Sequence, residues 1–398
     1  MISVEEALSI IAESVVPGQE ERIPLEEALG RVLARDVASD ADWPPFETSA
    51  MDGYAVRMAD VSRPGTPLLE RTEPVAAGDA PPGPLRPGEV VRVMTGAPLP
   101  DATEAVIPVE RARRQEGRVI FEIAPAPGAH IRRQGESIRQ GSRLICAGRR
   151  VRPGDIALAA LAGAATLSVF LRPRVAIAAT GNELVPAGEK PRPGQIRDSN
   201  GPMLVSLCRA GGWAAAQRRA VADETAGIAA LFDSAGKDED VLVTSGGVSA
   251  GDFDLLPEIA RRQGFEILFH GVSVRPGKPI AFARRGGTFW FGLPGNPVST
   301  SVCFHLFVRF ALGRLEGDPG PGAPRVVARL ARDLPSSGTR ETYRDGILTN
   351  AGGVESVEPL TSAGSHDIAA HARANALIRV PANSGPRPAG STVECLLL

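Results

Sequence analysis

Three short loops carry the groups best suited to chemistry: Thr180-Gly181-Asn182-Glu183, Thr244-Ser245-Gly246-Gly247-Val248-Ser249-Ala250-Gly251 and Leu293-Pro294-Gly295-Asn296-Pro297. Each follows an apolar run that reads as a strand and precedes a stretch that reads as a helix. Glycine lets the backbone approach an anion closely, and the N-terminus of the next helix favours negative charge there. A single loop of this kind is an ordinary turn. Three in register at the carboxyl edge of one parallel sheet indicate a site for a phosphorylated ligand.

Charged residues accompany the loops. Glu183 sits on the first, Asp252 and Asp254 follow the second, and Lys278 lies in the turn Arg275-Pro276-Gly277-Lys278-Pro279 ahead of the third. Arginine is abundant and the only lysines are Lys190, Lys237 and Lys278, so a lysine in a Pro/Gly turn suggests that a compact ammonium is required. Asp252 could simply cap a helix and Asp254 could sit in its first turn. Glu183 has less structural reason to be where it is. Carboxylates near a phosphate repel it unless a divalent cation lies between, so the pattern implies Mg²⁺. The five histidines are scattered and suggest no metal cluster. Two further stretches stand out in the N-terminal half, Asp42 to Val56 around Asp52-Gly53-Tyr54 and Arg92 to Pro100 around Thr95-Gly96.

The elements that must position these groups follow from periodicity. Val175–Ala179, Val241–Thr244 and Thr288–Leu293 alternate with glycine loops and helices, the signature of an α/β domain with a parallel sheet. Ser3 with Glu6 forms a capping box ahead of a helix with Val4, Ala7, Leu8, Ile11 and Val15 on one face. A second amphipathic helix is expected from Pro24, and a third over Ile156–Leu161 packing with the first two. Between them, short β-like runs such as Glu89–Val93 and Arg118–Phe121 mark an inserted β-rich domain. Past Pro319-Gly320-Pro321-Gly322, Val326–Leu330, Ala376–Val380 and Val393–Leu398 read as a C-terminal β domain. The expected division is a helical linking segment over 1–48 and 133–172, the inserted β domain over 49–132, the α/β domain over 173–318 and the C-terminal domain over 319–398.

Composition sets limits. The chain has 398 residues, 43% of them apolar, with 46 acidic against 44 basic side chains, which excludes a disordered chain. A net charge of −2 argues against a general nucleic-acid binder. Acids at Glu5 and Glu6 do not suit a signal peptide, and the apolar stretch Ile156–Leu171 is too short and interrupted for a membrane span. Cys146, Cys208, Cys303 and Cys395 have no paired spacing. The expectation is a reduced, soluble, cytoplasmic protein that binds neither nucleic acid nor membrane.

Together the motifs resemble the molybdopterin molybdenumtransferases, the MoeA family, whose eukaryotic relatives include the second enzymatic region of gephyrin. The resemblance rests on Pro44-Pro45-Phe46 with Ser49-Ala50-Met51-Asp52-Gly53-Tyr54-Ala55, on Thr95-Gly96-Ala97, on Thr180 to Leu184 and on Asp198-Ser199-Asn200. It continues through Ser245 to Ser249 with Gly251 and Asp254, Pro276-Gly277-Lys278-Pro279, and Leu293 to Pro297. It implies a multidomain α/β plus β protein with a three-layer molybdopterin-binding domain, acting as an elongated homodimer with shared sites. The implied reaction inserts molybdate into the dithiolene of adenylylated molybdopterin and releases AMP.

The resemblance also implies roles. Asp52, Thr95, Glu183 and Asp254 would be catalytic, with Asp52, Glu183 and Asp254 as Mg²⁺ ligands. Substrate would be bound by Asp198, Ser199, Asn200 and Asp223, by Ser245, Gly246, Gly247 and Ser249, and by Arg275 and Lys278. Pro294, Gly295, Asn296, Pro297 and Ser365 would complete the set. A molybdopterin adenylyltransferase and molybdoenzyme apoproteins are the implied partners. The chain departs from the family at Ser137, where an acid is usual, and at Arg275, where lysine is frequent. An adenylyltransferase-like nucleotide enzyme and a non-catalytic pterin-binding scaffold remain alternative readings.

Overall fold

A computed structural model describes residues 1–71, 73–217, 224–248 and 255–398. Its central element is a six-stranded sheet in the order Ala214–Gln217, Arg174–Ala179, Val241–Ser245, Thr288–Leu293, Ala281–Arg285, Glu266–His270. The first four strands run parallel and the last two are added antiparallel. Side chains alternate across this sheet. Val175, Ile177, Val241, Val243, Phe289 and Phe291 enter one apolar cluster, whereas Ala176, Ala178, Leu242 and Trp290 enter the cluster on the opposite face. Burial on both faces is why these strands read as nearly continuous apolar runs.

Helix Pro297–Cys303 continues through the π-helical turn Phe304–Val308 into Arg309–Leu315. The 19 residues are long and apolar enough to cross a membrane, but 83% of the segment is buried within the fold, as expected for a core helix.

The N-terminal part differs from expectation. Helix Val4–Ser14 forms with its capping box, Glu6 N–H donating to Ser3 Oγ over 3.0 Å and Ser3 N–H to the Glu6 carboxylate over 2.6 Å. It does not pack with the later helix. Val4, Ala7, Ile11 and Val15 are buried in the α/β domain beside Phe307, Ala311 and Leu315. The helix expected from Pro24 is a single 3₁₀ turn, Leu25–Glu27. Gly30 at φ +73° breaks the helical path, and Val32 and Leu33 turn into bridges with Arg150 and Val169. The linking segment is therefore built from antiparallel pairs, Glu20–Pro24 with Thr166–Phe170 and Val37–Ala38 with Arg143–Ile145, around one helix, Pro153–Leu161. It is tied to the α/β domain through the fully buried Glu316, which pairs with Arg150 and Arg172 at 3.1 and 3.4 Å.

The inserted domain is a six-stranded sheet over a core of Tyr54, Val56, Val90, Ile107, Val119 and Phe121. In the C-terminal domain, Glu341–Ala351, Val354–Pro359, Arg325–Leu330, Thr392–Leu397 and Ala376–Val380 pair in that order. The last strand then pairs back with the first, closing a barrel. A short strand of the α/β domain, Val274–Arg275, adds to this sheet beside Glu341 and Thr342. That pairing sets the Arg275–Lys278 turn against the C-terminal domain.

Burial pushes the Cys208 thiol up to about 12 and the Cys395 thiol up to about 11, and raises that of the fully enclosed Cys303 further, while Cys146 is exposed.

Candidate active site

The three loops emerge side by side at the carboxyl ends of the parallel strands and border a cavity of about 920 Å³. Their spacing is held from within. Thr180 N–H donates to Ser245 O over 2.8 Å, and Gly246 N–H to Leu293 O over 3.0 Å. Gly246 has φ +99°, and a Cβ there would lie 2.4 Å from Thr180 O, so only glycine lets the first two loops meet. The Gly246 amide thus joins loops rather than facing a ligand. The amides of Gly247, Gly295 and Asn296 have no partner among the described residues and are among the donors left for an anion.

Asn200 braces the floor. Its Nδ2 donates to Ser245 Oγ over 2.6 Å and to Gly295 O over 2.7 Å, and its buried Oδ1 is left without a partner. Asp198 accepts from Gly201 N–H over 2.9 Å at the start of helix Asn200–Ala210, so its carboxylate serves the backbone. Asn296 Nδ2 donates to Ser365 Oγ over 2.9 Å, and Thr300 Oγ to Pro294 O over 2.6 Å. Ser199, Pro294 and Pro297 complete this wall.

The opposite wall is cationic. Arg275 and Lys278 come from the Pro/Gly turn, in which Gly277 at φ +120° seats against the core helix with room for no Cβ, since one would lie 2.5 Å from Cys303 Sγ. Arg340 and Arg344 come from the C-terminal barrel. Arg340 reaches Val274 O at 3.4 Å, and the Arg344 guanidinium makes no hydrogen bond or ion pair among the described residues. Burial first, then the neighbouring Arg275, lowers the pKa of Arg344, an arrangement that an anion between the two would relieve. Sequence reasoning missed Arg340 and Arg344. The signal was there in Arg340-x-Thr342-x-Arg344, three alternate positions that share one face of a strand.

Of the expected acids, Glu183 faces this cavity, and its carboxylate has no hydrogen bond or ion pair among the described residues. Asp52 and Thr95 lie together in the inserted domain, where the Thr95 amide and hydroxyl each donate to Asp52 Oδ1 over 2.7 Å. Those two bonds hold the Asp52 carboxyl below the usual range. Neither residue borders the cavity of its own chain. Asp223, Ser249 and Asp254 lie outside the described residues. Ser137 is exposed in the linking segment, where its amide donates to Trp43 O over 3.1 Å.

Among the described residues no three His, Cys, Asp or Glu side chains converge on a metal position. One unengaged carboxylate beside a phosphate cradle nonetheless fits Mg²⁺, which takes one or two protein carboxylates and completes its shell with phosphate oxygens and water.

Three family profiles match the chain: "MoeA N-terminal region (domain I and II)" over residues 2–163, "Probable molybdopterin binding domain" over 176–314 and "MoeA C-terminal region (domain IV)" over 327–398. The chain is 36% identical to molybdopterin molybdenumtransferase 2 of Mycobacterium tuberculosis, with 99% of each chain covered. It is 33% identical to the molybdopterin molybdenumtransferase of Bacillus subtilis, covering 100% of this chain and 94% of that one. A solved structure of a molybdopterin biosynthesis MoeA protein from Pyrococcus horikoshii superposes with a TM-score of 0.86 at 31% identity, covering 100% of this chain and 99% of the other.

Proposed function

From the premise that this chain belongs to the MoeA family, we propose that it is a molybdopterin molybdenumtransferase of the cytoplasm, inserting molybdate into adenylylated molybdopterin with release of AMP. The observation that carries this reading is the meeting of two kinds of anion site in one cavity. Amides at Gly247, Gly295 and Asn296 that have no partner among the described residues suit a pyrophosphate together with Lys278, and Arg275, Arg340 and Arg344, which make no ion pair among the described residues, suit a second oxyanion. A dithiolene receiving a dianion must be held beside it while the charges are offset, which is the task of the cationic wall.

Glu183 is the described residue that would hold Mg²⁺, whose chemistry is to polarise the phosphoanhydride bond as a Lewis acid. Asn200 and Ser245 orient the floor, and Lys278 holds negative charge on the bridging phosphates.

The proposal includes a homodimer in which Asp52 and Thr95 of one protomer complete the cavity of the other. The segment that leads to Asp52 carries Trp43, Phe46 and Met51, which are 46%, 41% and 39% exposed, and Ile196 on the cavity wall is 57% exposed. Apolar side chains left in water next to functional groups favour a second copy as their cover. A molybdopterin adenylyltransferase upstream and molybdoenzyme apoproteins downstream are the proposed partners. The deciding experiment supplies the purified protein with adenylylated molybdopterin and Mg²⁺ and follows AMP as molybdate is added. AMP release that depends on molybdate is expected; release that ignores molybdate, or none at all, overturns the proposal.

A further inference from the structure

A buried polar relay starts at the cationic wall, where Asp345 borders the cavity beside Arg344, runs back into the fold and belongs to none of the roles above. His371, at the end of the short helix Ile368–His371, places Nδ1 2.7 Å from Asp345 Oδ1 and Nε2 2.8 Å from Ser301 Oγ. Asp345 is on barrel strand Glu341–Ala351 and Ser301 is on core helix Pro297–Cys303, and the three residues are 6%, 2% and 8% exposed for Asp345, Ser301 and His371. A carboxylate only accepts, so Nδ1 donates to Asp345 and Nε2 faces the serine hydroxyl. The imidazole thus joins the barrel to the α/β domain by two directional bonds between buried groups.

Three apolar side chains of similar volume would fill this space at no loss of stability, because burying a carboxylate and an imidazole costs solvation. What the polar set adds is a fixed register between strand and helix. That register matters because of what each element carries. Arg344 precedes Asp345 on the strand, and its guanidinium borders the cavity without a hydrogen bond or ion pair among the described residues, so its place follows that of its strand. The helix carries the Gly295-Asn296 loop at its N-terminal end, with Thr300 Oγ bonded to Pro294 O.

Building on the function proposed above, we infer that His371 is a positioning residue for oxyanion capture: through Asp345 and Ser301 it sets the spacing between Arg344 and the phosphate-binding loop. The relay acts on the second substrate, the oxyanion, because it fixes where Arg344 stands relative to the loop, whereas the amide cradle keeps its own internal bonds, Thr300 Oγ to Pro294 O and Gly246 N–H to Leu293 O.

Two variants separate this role from simple structural support. His371→Leu leaves the Asp345 carboxylate buried without its partner, so it should lower the melting temperature as well as molybdate use. The triple variant Asp345→Leu/His371→Leu/Ser301→Ala removes the whole relay and should melt at or above the wild-type temperature. In that triple variant the KM for molybdate, followed by AMP release, should rise about tenfold to a hundredfold, the cost of misplacing a binding group by a fraction of an ångström to one ångström. The KM for adenylylated molybdopterin should stay within about twofold of wild type. A stable triple variant with wild-type molybdate KM, or with both KM values raised alike, overturns the inference. If the wild-type protein releases no AMP in response to molybdate, the failure belongs to the proposed function instead.

Discussion

At the scale of single residues, the cavity divides labour between groups already engaged and groups left free. The side chains of Asp198, Asn200 and Ser245 spend their hydrogen bonds on holding loops together, whereas the side chains of Glu183 and Lys278 border the cavity with none among the described residues. Lys278→Ala should weaken binding of adenylylated molybdopterin by about tenfold to a hundredfold, the worth of one hydrogen bond to a charged group, and calorimetric titration of the variant checks this. An affinity equal to wild type would make Lys278 a solvated side chain. The loops were legible in the sequence because glycine and proline at strand ends have few other uses. Arg340 and Arg344 were not, because two arginines beyond a Pro/Gly breaker resemble any solvated surface until the barrel closes and turns alternate residues of one strand towards the α/β domain.

At the scale of elements, legibility followed how many faces are buried. Strands enclosed on both sides, such as Arg174–Ala179 and Thr288–Leu293, were visible as apolar runs. Ala214–Gln217 was not, since Ala-Ala-Ala-Gln has no β-branched or aromatic residue to mark a strand. The expected helix after Pro24 failed because apolar residues at helical spacing also suit a turn followed by bridges when a glycine with positive φ intervenes.

The π-helical turn within the core helix carries its own titration. It holds His305, whose pKa is lowered to about 4 by burial, by Arg309 and by His371. A histidine kept neutral in the fold but free to protonate once unfolded makes stability fall as pH drops from about 6.5 towards about 4. At pH 5 the loss is on the order of 2 kcal/mol relative to pH 7. His305→Gln should flatten that dependence, as measured by urea unfolding at the two pH values; a variant that loses as much stability as wild type would assign the acid sensitivity to other groups.

At the scale of the whole molecule, the groups proposed for catalysis that lie among the described residues do not meet within one chain. Asp52 and Thr95 sit in the inserted domain, and Glu183 sits in the α/β cavity. Asp52→Ala and Glu183→Ala should each abolish AMP release while leaving pterin binding within about tenfold, since both are assigned to steps after binding. Mixing the two inactive proteins under conditions of subunit exchange should restore activity, because one of the two composite sites in each heterodimer carries neither substitution. Confirmed exchange without recovered activity would place both acids in the site of a single protomer.

The distribution of thiols has a practical consequence for following such motions. With Cys208, Cys303 and Cys395 enclosed and poorly ionised, Cys146 is the single thiol open to an electrophile at neutral pH. A maleimide dye should therefore attach once per chain without any mutation, and mass spectrometry of the conjugate gives the count directly. More than one dye under native conditions would mean that a core opens to solvent. A single dye places a reporter on the linking segment, so energy transfer between differently labelled chains would record in real time whether two chains come together and part.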